Sequence, residues 1–294
     1  MLELRHVGHS YPGTSRAALQ DIDLQLQAGE CLGLLGSNGA GKTTLLSLLS
    51  GVLALQQGEL HWEGQPRLGL VPQQLAFYAG LKVGENLELF ADLYRLRGTE
   101  RRQRLQQCID ICALEDKLTR RSEQLSGGEQ RRLNFAIGLL QPADLYLFDE
   151  ATVGVDAANR QHLLAAVEQL TAEGKAVIYT SHYLEEVERV AQRILLLHEG
   201  QVRLDLDKRQ LLGDDHGLLL EWPDAAPVGL SELLAHLQLS AEVLPKGLRI
   251  AALNGQQLLA ITEFVAAQDG LPNLLRFGSP SLEQLYLRLN GGRL

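Results

Sequence analysis

The chain has 294 residues and a formal net charge of −9, and its 45% hydrophobic and 21% charged content is that of an ordinary globular protein with room for two unequal domains. The acidic balance argues against a nucleic-acid partner, because phosphate backbones favour a basic surface. Three cysteines provide no disulfide framework and no apolar run approaches the roughly 20 residues of a membrane span, so we expect a protein that is soluble by itself and reaches any membrane role through a partner.

The first elements are predicted to be half-buried antiparallel strands, because apolar and polar residues alternate in them. These strands are Leu2–Val7, Ile22–Leu26 and Gly58–Trp62. The apolar run Cys31–Leu35 predicts a buried strand, and Thr44–Leu49 predicts a helix that Gly51 ends. A further short strand is predicted at Leu68–Val71.

A glycine-rich segment joins the buried strand to the helix. It reads Gly36-Ser37-Asn38-Gly39-Ala40-Gly41-Lys42-Thr43 and fits G-x-x-x-x-G-K-[ST]. Glycines let successive backbone N–H groups point at phosphate oxygens, and the helix N-terminus adds partial positive charge. Lys42 can neutralise the β- and γ-phosphates, and the Thr43 hydroxyl can ligate Mg²⁺. The segment therefore predicts a nucleotide site.

The middle of the chain is predicted to be a helical block followed by strands that alternate with helices. The block runs from Val83 to Leu140, with breaks at Gly98 and around Ser122–Gly128. The later segments are strands Asp144–Phe148, Ala176–Thr180 and Arg193–Leu197, with helices Ala157–Glu173 and Leu184–Ala191 between them. This alternation of strands and helices predicts an α/β fold with a parallel sheet and crossover helices, and the helical block predicts a lobe at about residues 83–140.

The pattern changes after about Asp205. The predicted elements are strand Leu218–Trp222, helix Leu230–Leu237, strands Ala241–Leu244 and Leu248–Leu253, helix Gln256–Gln268, strand Leu274–Phe277 and a final helix Ser281–Leu289. Their order is β-α-β-β-α-β plus one helix, the ferredoxin-like arrangement. We therefore expect a domain over residues 1–210 and a small α+β domain over residues 215–294.

Two further segments carry chemistry that a nucleotide site needs. The apolar strand Leu145–Phe148 is followed by Asp149 and Glu150, which predicts one carboxylate that fixes Mg²⁺ through water and one that polarises the attacking water. The alternative is a pair of acids that simply lead a strand into a loop. Leu125-Ser126-Gly127-Gly128-Glu129 precedes a helix and predicts a second anion site, with an ordinary capped helix as the alternative. Because the chain already has one predicted phosphate-binding loop, the second anion site suggests contact with the nucleotide of another subunit.

Together these segments resemble the ATP-binding cassette of ABC transporters over roughly residues 1 to 205. Gly36–Thr43 is similar to the Walker A motif, Leu125–Glu129 to the LSGGE signature, and Leu145–Asp149 to Walker B with the catalytic glutamate at Glu150. The other similar segments are the Q-loop with Gln73, the D-loop Gly154–Asp156, the switch histidine His182 and the adenine-stacking aromatic Tyr11. The alternatives are a strand-edge role for Tyr11, a turn role for Gln73 and a structural role for His182.

The resemblance implies a set of roles for individual residues. ATP would be bound by Tyr11, Gly36, Ser37, Asn38, Gly39, Ala40, Gly41, Lys42, Thr43, Thr44 and Gln73. Mg²⁺ would be held by Thr43, Gln73 and Asp149, and hydrolysis would depend on Glu150, His182 and Lys42. The ATP of a second cassette would be bound in trans by Ser126, Gly127, Gly128, Glu129 and Asp156.

The resemblance also implies partners and a place in the cell. Two cassettes, identical or merely paired, would close head to tail on ATP, and integral membrane permease subunits would dock around Tyr78–Glu88. The chain would then be cytoplasmic and peripheral on the inner face of the cell membrane. Ala151 departs from the proline usual after the catalytic glutamate but removes no chemical group.

Three functional questions stay open on the sequence alone: the direction of transport, the alternatives to transport, and the substrate. The stretches Thr152–Asp156, Tyr179–Glu188 and Pro280–Leu289 resemble the drug- and polysaccharide-exporting branch, which favours export of a drug-like, lipid-like or polysaccharide substrate over import. The alternatives are a soluble cassette ATPase with a non-transport role and a regulatory protein whose C-terminal domain binds a small ligand. The transported substrate cannot be read from the cassette.

Overall fold

The computed structural model describes residues 1–14, 16–212, 217–223, 226–244, 247–250, 252–268, 270–278 and 282. The chain divides into two compact units, Met1–Lys208 and Arg209–Leu294. Within the described residues, no helix combines the length and the apolar character that crossing a bilayer requires. The α/β fold class is confirmed.

The first sheet of the larger unit is antiparallel, as the alternating sequence predicted. It contains β1 (Leu2–His9), β2 (Leu19–Leu26) and β4 (Gln57–Trp62) in the order β2-β1-β4. The apolar side chains of β1 and β2 are buried on one face, with Leu4 opposite Leu24. Both strands extend beyond their predicted bounds.

The second sheet is the core of this unit and has the order β5-β6-β7-β3-β8-β9. Its strands are β3 (Cys31–Leu35), β5 (Leu68–Val71), β6 (Leu145–Asp149), β7 (Ala176–Thr180), β8 (Arg193–His198) and β9 (Gln201–Asp207). The first five are parallel, and β3, β6 and β7 are buried along their whole length, as continuous apolar runs predict. The antiparallel edge strand β9 was not predicted.

Six helices of eight, eleven, fourteen, fourteen, sixteen and seven residues accompany this sheet. They are α1 (Lys42–Leu49), α2 (Val83–Leu93), α3 (Gly98–Ile111), α4 (Gly127–Leu140), α5 (Ala157–Ala172) and α6 (Leu184–Val190), and a short α7 (Lys208–Leu212) follows β9. The helical block is interrupted between α2 and α3, next to the predicted break at Gly98, and Gly98 itself begins α3, with a φ of 55° that suits the turn into the helix. The second break, predicted around Ser122–Gly128, begins earlier, after Ile111, and ends before Gly127, which begins α4. It contains short 3₁₀ turns at Glu115–Lys117 and Ser122–Gln124.

The smaller unit contains one antiparallel sheet and its own apolar core. Its elements are β10 (Leu218–Glu221), α8 (Leu230–His236), β11 (Ala241–Leu244), β12 (Gly247–Ile250), α9 (Gly255–Ala266) and β13 (Leu274–Phe277). The strand order is β11-β12-β10-β13, and the elements follow the predicted β-α-β-β-α-β sequence. Strand β12 was predicted to reach Leu253 but ends at Ile250, because Ala252 has a left-handed φ of 47° and Asn254 already caps α9. The predicted helix Ser281–Leu289 lies outside the described residues, apart from Leu282.

Candidate active site

A cleft of about 810 Å³ lies in the larger unit, at the edge where the parallel strands end. Strands β3, β6 and β7 are neighbours in the sheet, so the residues that follow their carboxyl ends converge there. The predicted residues that line the cleft are Tyr11, Ser37, Asn38, Gly39, Ala40, Gly41, Lys42, Thr43, Thr44, Gln73, Glu150 and His182. Segments far apart in the chain therefore form one concave site.

The loop before α1 depends on a glycine at its last position. Gly41 has a φ of 107°, and a Cβ atom there would lie 2.5 Å from the backbone oxygen of Ala18. A larger residue would therefore push the loop away from the first sheet. Gly41 also caps α1 without a side chain, so no capping oxygen competes with an anion for the first amide groups of the helix.

The ammonium of Lys42 is buried at the floor of this loop. Its Nζ donates hydrogen bonds to the backbone oxygens of Gly36 at 2.6 Å and Ser37 at 3.3 Å. Burial lowers the pKa of Lys42, while the nearby carboxylates of Glu150 and Asp149 oppose this effect. The cation is thus held within the curve of the phosphate loop, where an anionic oxygen would be a stronger partner than a carbonyl.

Two carboxylates lie at the carboxyl end of strand β6 and have different partners: Asp149 is its last residue, and Glu150 follows it. Asp149 accepts hydrogen bonds from the hydroxyls of Thr43 at 3.1 Å and Thr180 at 2.8 Å. Glu150 has a left-handed φ of 50°, which turns the chain sharply at the end of the strand. Its Oε1 lies 2.7 Å from Nε2 of His182, and its Oε2 accepts a hydrogen bond from the Gln73 amide at 2.8 Å. The backbone turn therefore directs Glu150 toward Gln73 and His182.

The oxygen atoms at this edge fit a divalent cation. Mg²⁺ prefers oxygen ligands and usually keeps several bound waters. The Thr43 hydroxyl and the Asp149 carboxylate lie 3.1 Å apart, so Thr43 would bind the ion directly and Asp149 would hold it through one of those waters. Gln73, the third predicted ligand, lines the same cleft and here donates its amide to Glu150.

Tyr11 also lines the cleft. Its ring is 41% exposed, packs edge-on against His9 at 5.0 Å between centroids, and its hydroxyl lies 3.3 Å from that of Thr44. Arg16 and Glu199 also line the cleft and form an ion pair with each other. Sequence reasoning missed both, since no motif marks either residue and they are distant in the chain.

The residues predicted to act in trans lie apart from this cleft. Ser126 caps α4 and accepts a hydrogen bond from the Glu129 amide at 3.3 Å, while Asp156 caps α5. Ser126, Gly127 and Asp156 are exposed, and none of the predicted trans residues is among those that line the cleft in the described part of the chain. Gly128 packs tightly on the loop before Asp156, since a Cβ atom at Gly128 would lie 2.8 Å from the backbone oxygen of Gly154.

Glu129 makes this helix start sensitive to pH. The Ser126 amide, which donates to it at 2.8 Å, and Lys117 at 3.1 Å lower its pKa from 4.5 to about 2. Its contribution to stability is therefore present above about pH 4.5 and is lost as the pH falls toward about 2.

We expect E129Q to lower the free energy of unfolding at pH 7 by about 0.5–1 kcal/mol, since Gln keeps the cap but loses the ion pair. Urea unfolding at pH 7 and pH 3 measures this, and the difference from the wild type should shrink at the lower pH. The control E123Q changes an exposed glutamate 3.6 Å from Arg121. If E129Q lowers the free energy of unfolding equally at both pH values, the pH-dependent role of Glu129 is contradicted.

Comparisons with known proteins agree on one family. A family model described as ABC transporter matches residues 19–153. The linearmycin resistance ATP-binding protein LnrL of Bacillus subtilis (strain 168) is 32% identical over 314 residues, spanning 100% of this chain and 99% of that protein. The Nod factor export ATP-binding protein I of Cupriavidus pinatubonensis (strain JMP 134 / LMG 1197) is 31% identical over 311 residues, spanning 99% and 91%.

Solved structures resemble the larger part of the chain. The ATP-binding subunit of an ABC transporter has a TM-score of 0.67 at 25% identity, covering 72% of this chain and 91% of that one. A dimeric ATP-binding cassette in a post-hydrolysis state, bound to ADP and Pi, has a TM-score of 0.65 at 26% identity, covering 70% and 98%.

Proposed function

This chain belongs to the ABC transporters as an ATP-binding, ATP-hydrolysing subunit, and from that premise we propose that it powers an exporter through the cleft around Lys42 and Glu150. The observation that carries the proposal is the 2.7 Å contact of Glu150 with His182 beside the phosphate loop. Export is supported by the relatives named for linearmycin resistance and Nod factor export, which match nearly the whole chain.

We propose that the triphosphate of ATP lies along the loop from Gly36 to Thr43. Lys42 would turn from the loop carbonyls to the β- and γ-phosphate oxygens, and the first amides of α1 would donate to the phosphates. The exposed ring of Tyr11 would stack on the adenine. Thr43 and Asp149, with Gln73, would hold Mg²⁺, which when bound neutralises charge on the phosphates.

Hydrolysis would depend on Glu150 and His182, which lie in the loops after β6 and β7. Glu150 would orient the attacking water and accept its proton, since a carboxylate at the end of the strand can face the γ-phosphate. His182 would hold Glu150 through its Nε2 contact and reach the γ-phosphate from the neighbouring loop.

We further propose that two cassettes close head to tail. Ser126, Gly127, Gly128, Glu129 and Asp156 would contact the ATP held by the partner's phosphate loop, and hydrolysis would open the pair. Ser126 is exposed and is not among the residues that line the cleft of its own chain, which supports a trans role. The permease subunits would dock near Tyr78–Glu88, where Tyr78 is 56% exposed, and would hold the chain on the cytoplasmic face of the membrane.

For the domain organisation, we propose a cassette over residues 1–210 and a ferredoxin-like accessory domain over residues 215–294. The separate core around Leu220, Ile250 and Ile261 supports this division. We propose that the accessory domain serves dimer contact or packing.

The proposed function is tested by ATP hydrolysis together with membrane association. The full chain, expressed with the integral membrane proteins encoded beside it, should fractionate with membranes and release phosphate from MgATP. K42A should lower the rate by more than about 10²-fold, because the triphosphate loses a buried cation. The control K175A changes a lysine 3.3 Å from Asp144 and should retain the rate. Hydrolysis by a chain that never associates with membranes would favour a soluble ATPase instead.

A further inference from the structure

A buried carboxylate lies behind the proposed catalytic pair and is not among the residues that line the cleft. Glu186, on α6, is 3% exposed. Its Oε2 accepts hydrogen bonds from the hydroxyls of Thr152 at 2.7 Å, Tyr179 at 2.9 Å and Ser181 at 2.7 Å. Removing a carboxylate from water costs free energy unless hydrogen bonds within the protein replace those to water. Three donors on one oxygen of Glu186 provide such hydrogen bonds. The three hydroxyls are consequently fixed around a single point.

Two of these donors belong to the loops that carry the proposed chemistry. Thr152 lies two residues after Glu150, and Ser181 lies immediately before His182. Ser181 Oγ also accepts a hydrogen bond from the Tyr183 amide at 3.0 Å, which fixes the turn containing His182. Glu186 thus ties the loop after β6 to the loop after β7.

The other oxygen of Glu186 extends the connection to the loop before α5. Its Oε1 lies 3.4 Å from Nε of Arg160. The same guanidinium donates to the backbone oxygen of Val155 at 2.9 Å and lies 4.6 Å from the ring centroid of Tyr183. Val155 directly precedes Asp156, so one buried carboxylate is connected to both ends of the loop from Thr152 to Asp156.

We propose that Glu186 is a positioning residue for ATP hydrolysis, holding the loop from Thr152 to Asp156 and the loop of His182 in one fixed arrangement. The proposal rests on the proposed function of Glu150 and His182. Glu186 acts through Thr152, Ser181 and Arg160 and contacts no reacting atom. Since the phosphate loop and Tyr11 are held by other contacts, its loss should misplace the hydrolytic groups while ATP still binds.

The test compares E186Q with E185Q, the exposed neighbour on the same helix. Gln at position 186 has a similar shape but replaces one oxygen with an amide nitrogen and removes the charge that faces Arg160 and the three hydroxyls. We expect E186Q to lower kcat about 10- to 100-fold, as for groups displaced by about 1 Å, with the Kd for ATP changed by less than about twofold. E185Q should match the wild type in both measurements.

A double variant separates positioning from a general loss of stability. If Glu186 acts through Ser181, the kcat of S181A/E186Q should equal that of E186Q, whereas independent effects would multiply. A kcat of E186Q within about twofold of E185Q would overturn the proposal, and so would parallel losses of kcat and ATP affinity. If E186Q does not fold, S181A and T152V take its place: each should lower kcat at unchanged Kd, and full activity in both would overturn the inference.

The same measurements distinguish this proposal from the function on which it rests. If the proposed function is wrong, the wild type will not hydrolyse MgATP, or E150Q will be fully active. If only the positioning role is wrong, the wild type will hydrolyse ATP and E150Q will be defective, but E186Q will be as active as E185Q.

Discussion

E150Q should bind ATP as tightly as the wild type and hydrolyse it about 10²–10⁴-fold more slowly. The amide fills the same space beside Gln73 and His182 but cannot accept the proton of the attacking water. Because ATP would bridge the two cassettes until it is cut, the variant should also accumulate as a dimer in the presence of MgATP. Phosphate release, ATP affinity and sedimentation velocity measure the three properties.

The control for this experiment is E173Q, which alters an exposed glutamate that follows α5 and accepts a hydrogen bond from Gln169 at 2.8 Å. It should hydrolyse ATP at the wild-type rate and remain in the wild-type association state. Undiminished hydrolysis by E150Q would remove Glu150 from its proposed role. A hydrolytic defect without any ATP-dependent dimer would instead contradict the bridging role of ATP.

The parts of the site that sequence analysis could predict are those in which the chemistry is local. The phosphate loop is contiguous, and the rule that places Lys42 at the start of a helix after a buried strand needs no knowledge of the tertiary fold. Strand β6 likewise lies where its apolar run indicates, although it spans Leu145–Asp149 and is thus shifted by one residue from the predicted Asp144–Phe148. Boundaries were less predictable, since helix ends depend on single turns such as that at Gly98.

The contacts that the sequence could not show are those that depend on neighbouring strands. Glu150 and His182 were both expected near the phosphates, but their 2.7 Å contact exists because β6 and β7 are adjacent. Glu186 looked like one acid among several on α6, yet it is buried beneath the two loops. The edge strand β9 does alternate charged and apolar residues, as antiparallel strands do, but this region was assigned to the end of the domain, so its pairing with β8 was missed.

Arg104 shows the same dependence on tertiary structure. It belongs to an arginine-rich stretch of α3, and such a charge run is typical of a solvated helix face. In the structure its guanidinium donates to the Leu139 carbonyl, to the Gln141 carbonyl at 3.1 Å and to the Tyr146 hydroxyl at 3.1 Å. It therefore satisfies carbonyls at the C-terminal end of α4, a contact that no spacing within α3 encodes.

The trans arrangement predicts that two inactive variants restore each other's activity. K42A removes the phosphate-loop cation, and S126D keeps an N-cap for α4 but sets a negative charge where the partner's ATP would lie. Each variant alone should be inactive in phosphate release. In their mixed dimer, the intact phosphate loop of the S126D chain faces the intact Ser126 of the K42A chain. An equal mixture should recover up to about a quarter of wild-type activity, since half of the dimers are mixed and each has one intact site.

The matched experiment places both changes in one chain. Mixed dimers of K42A/S126D with the wild type have one defect in each composite site, so they should add no activity beyond that of the wild-type dimers. If each site were built from a single chain, both outcomes would be reversed. The mixture of the two single variants would remain inactive, and mixed dimers of the double variant with the wild type would hydrolyse ATP at the intact wild-type site. S126N, which caps the helix without charge, separates the repulsion of phosphate from a loss of helix stability, because S126N should remain more active than S126D.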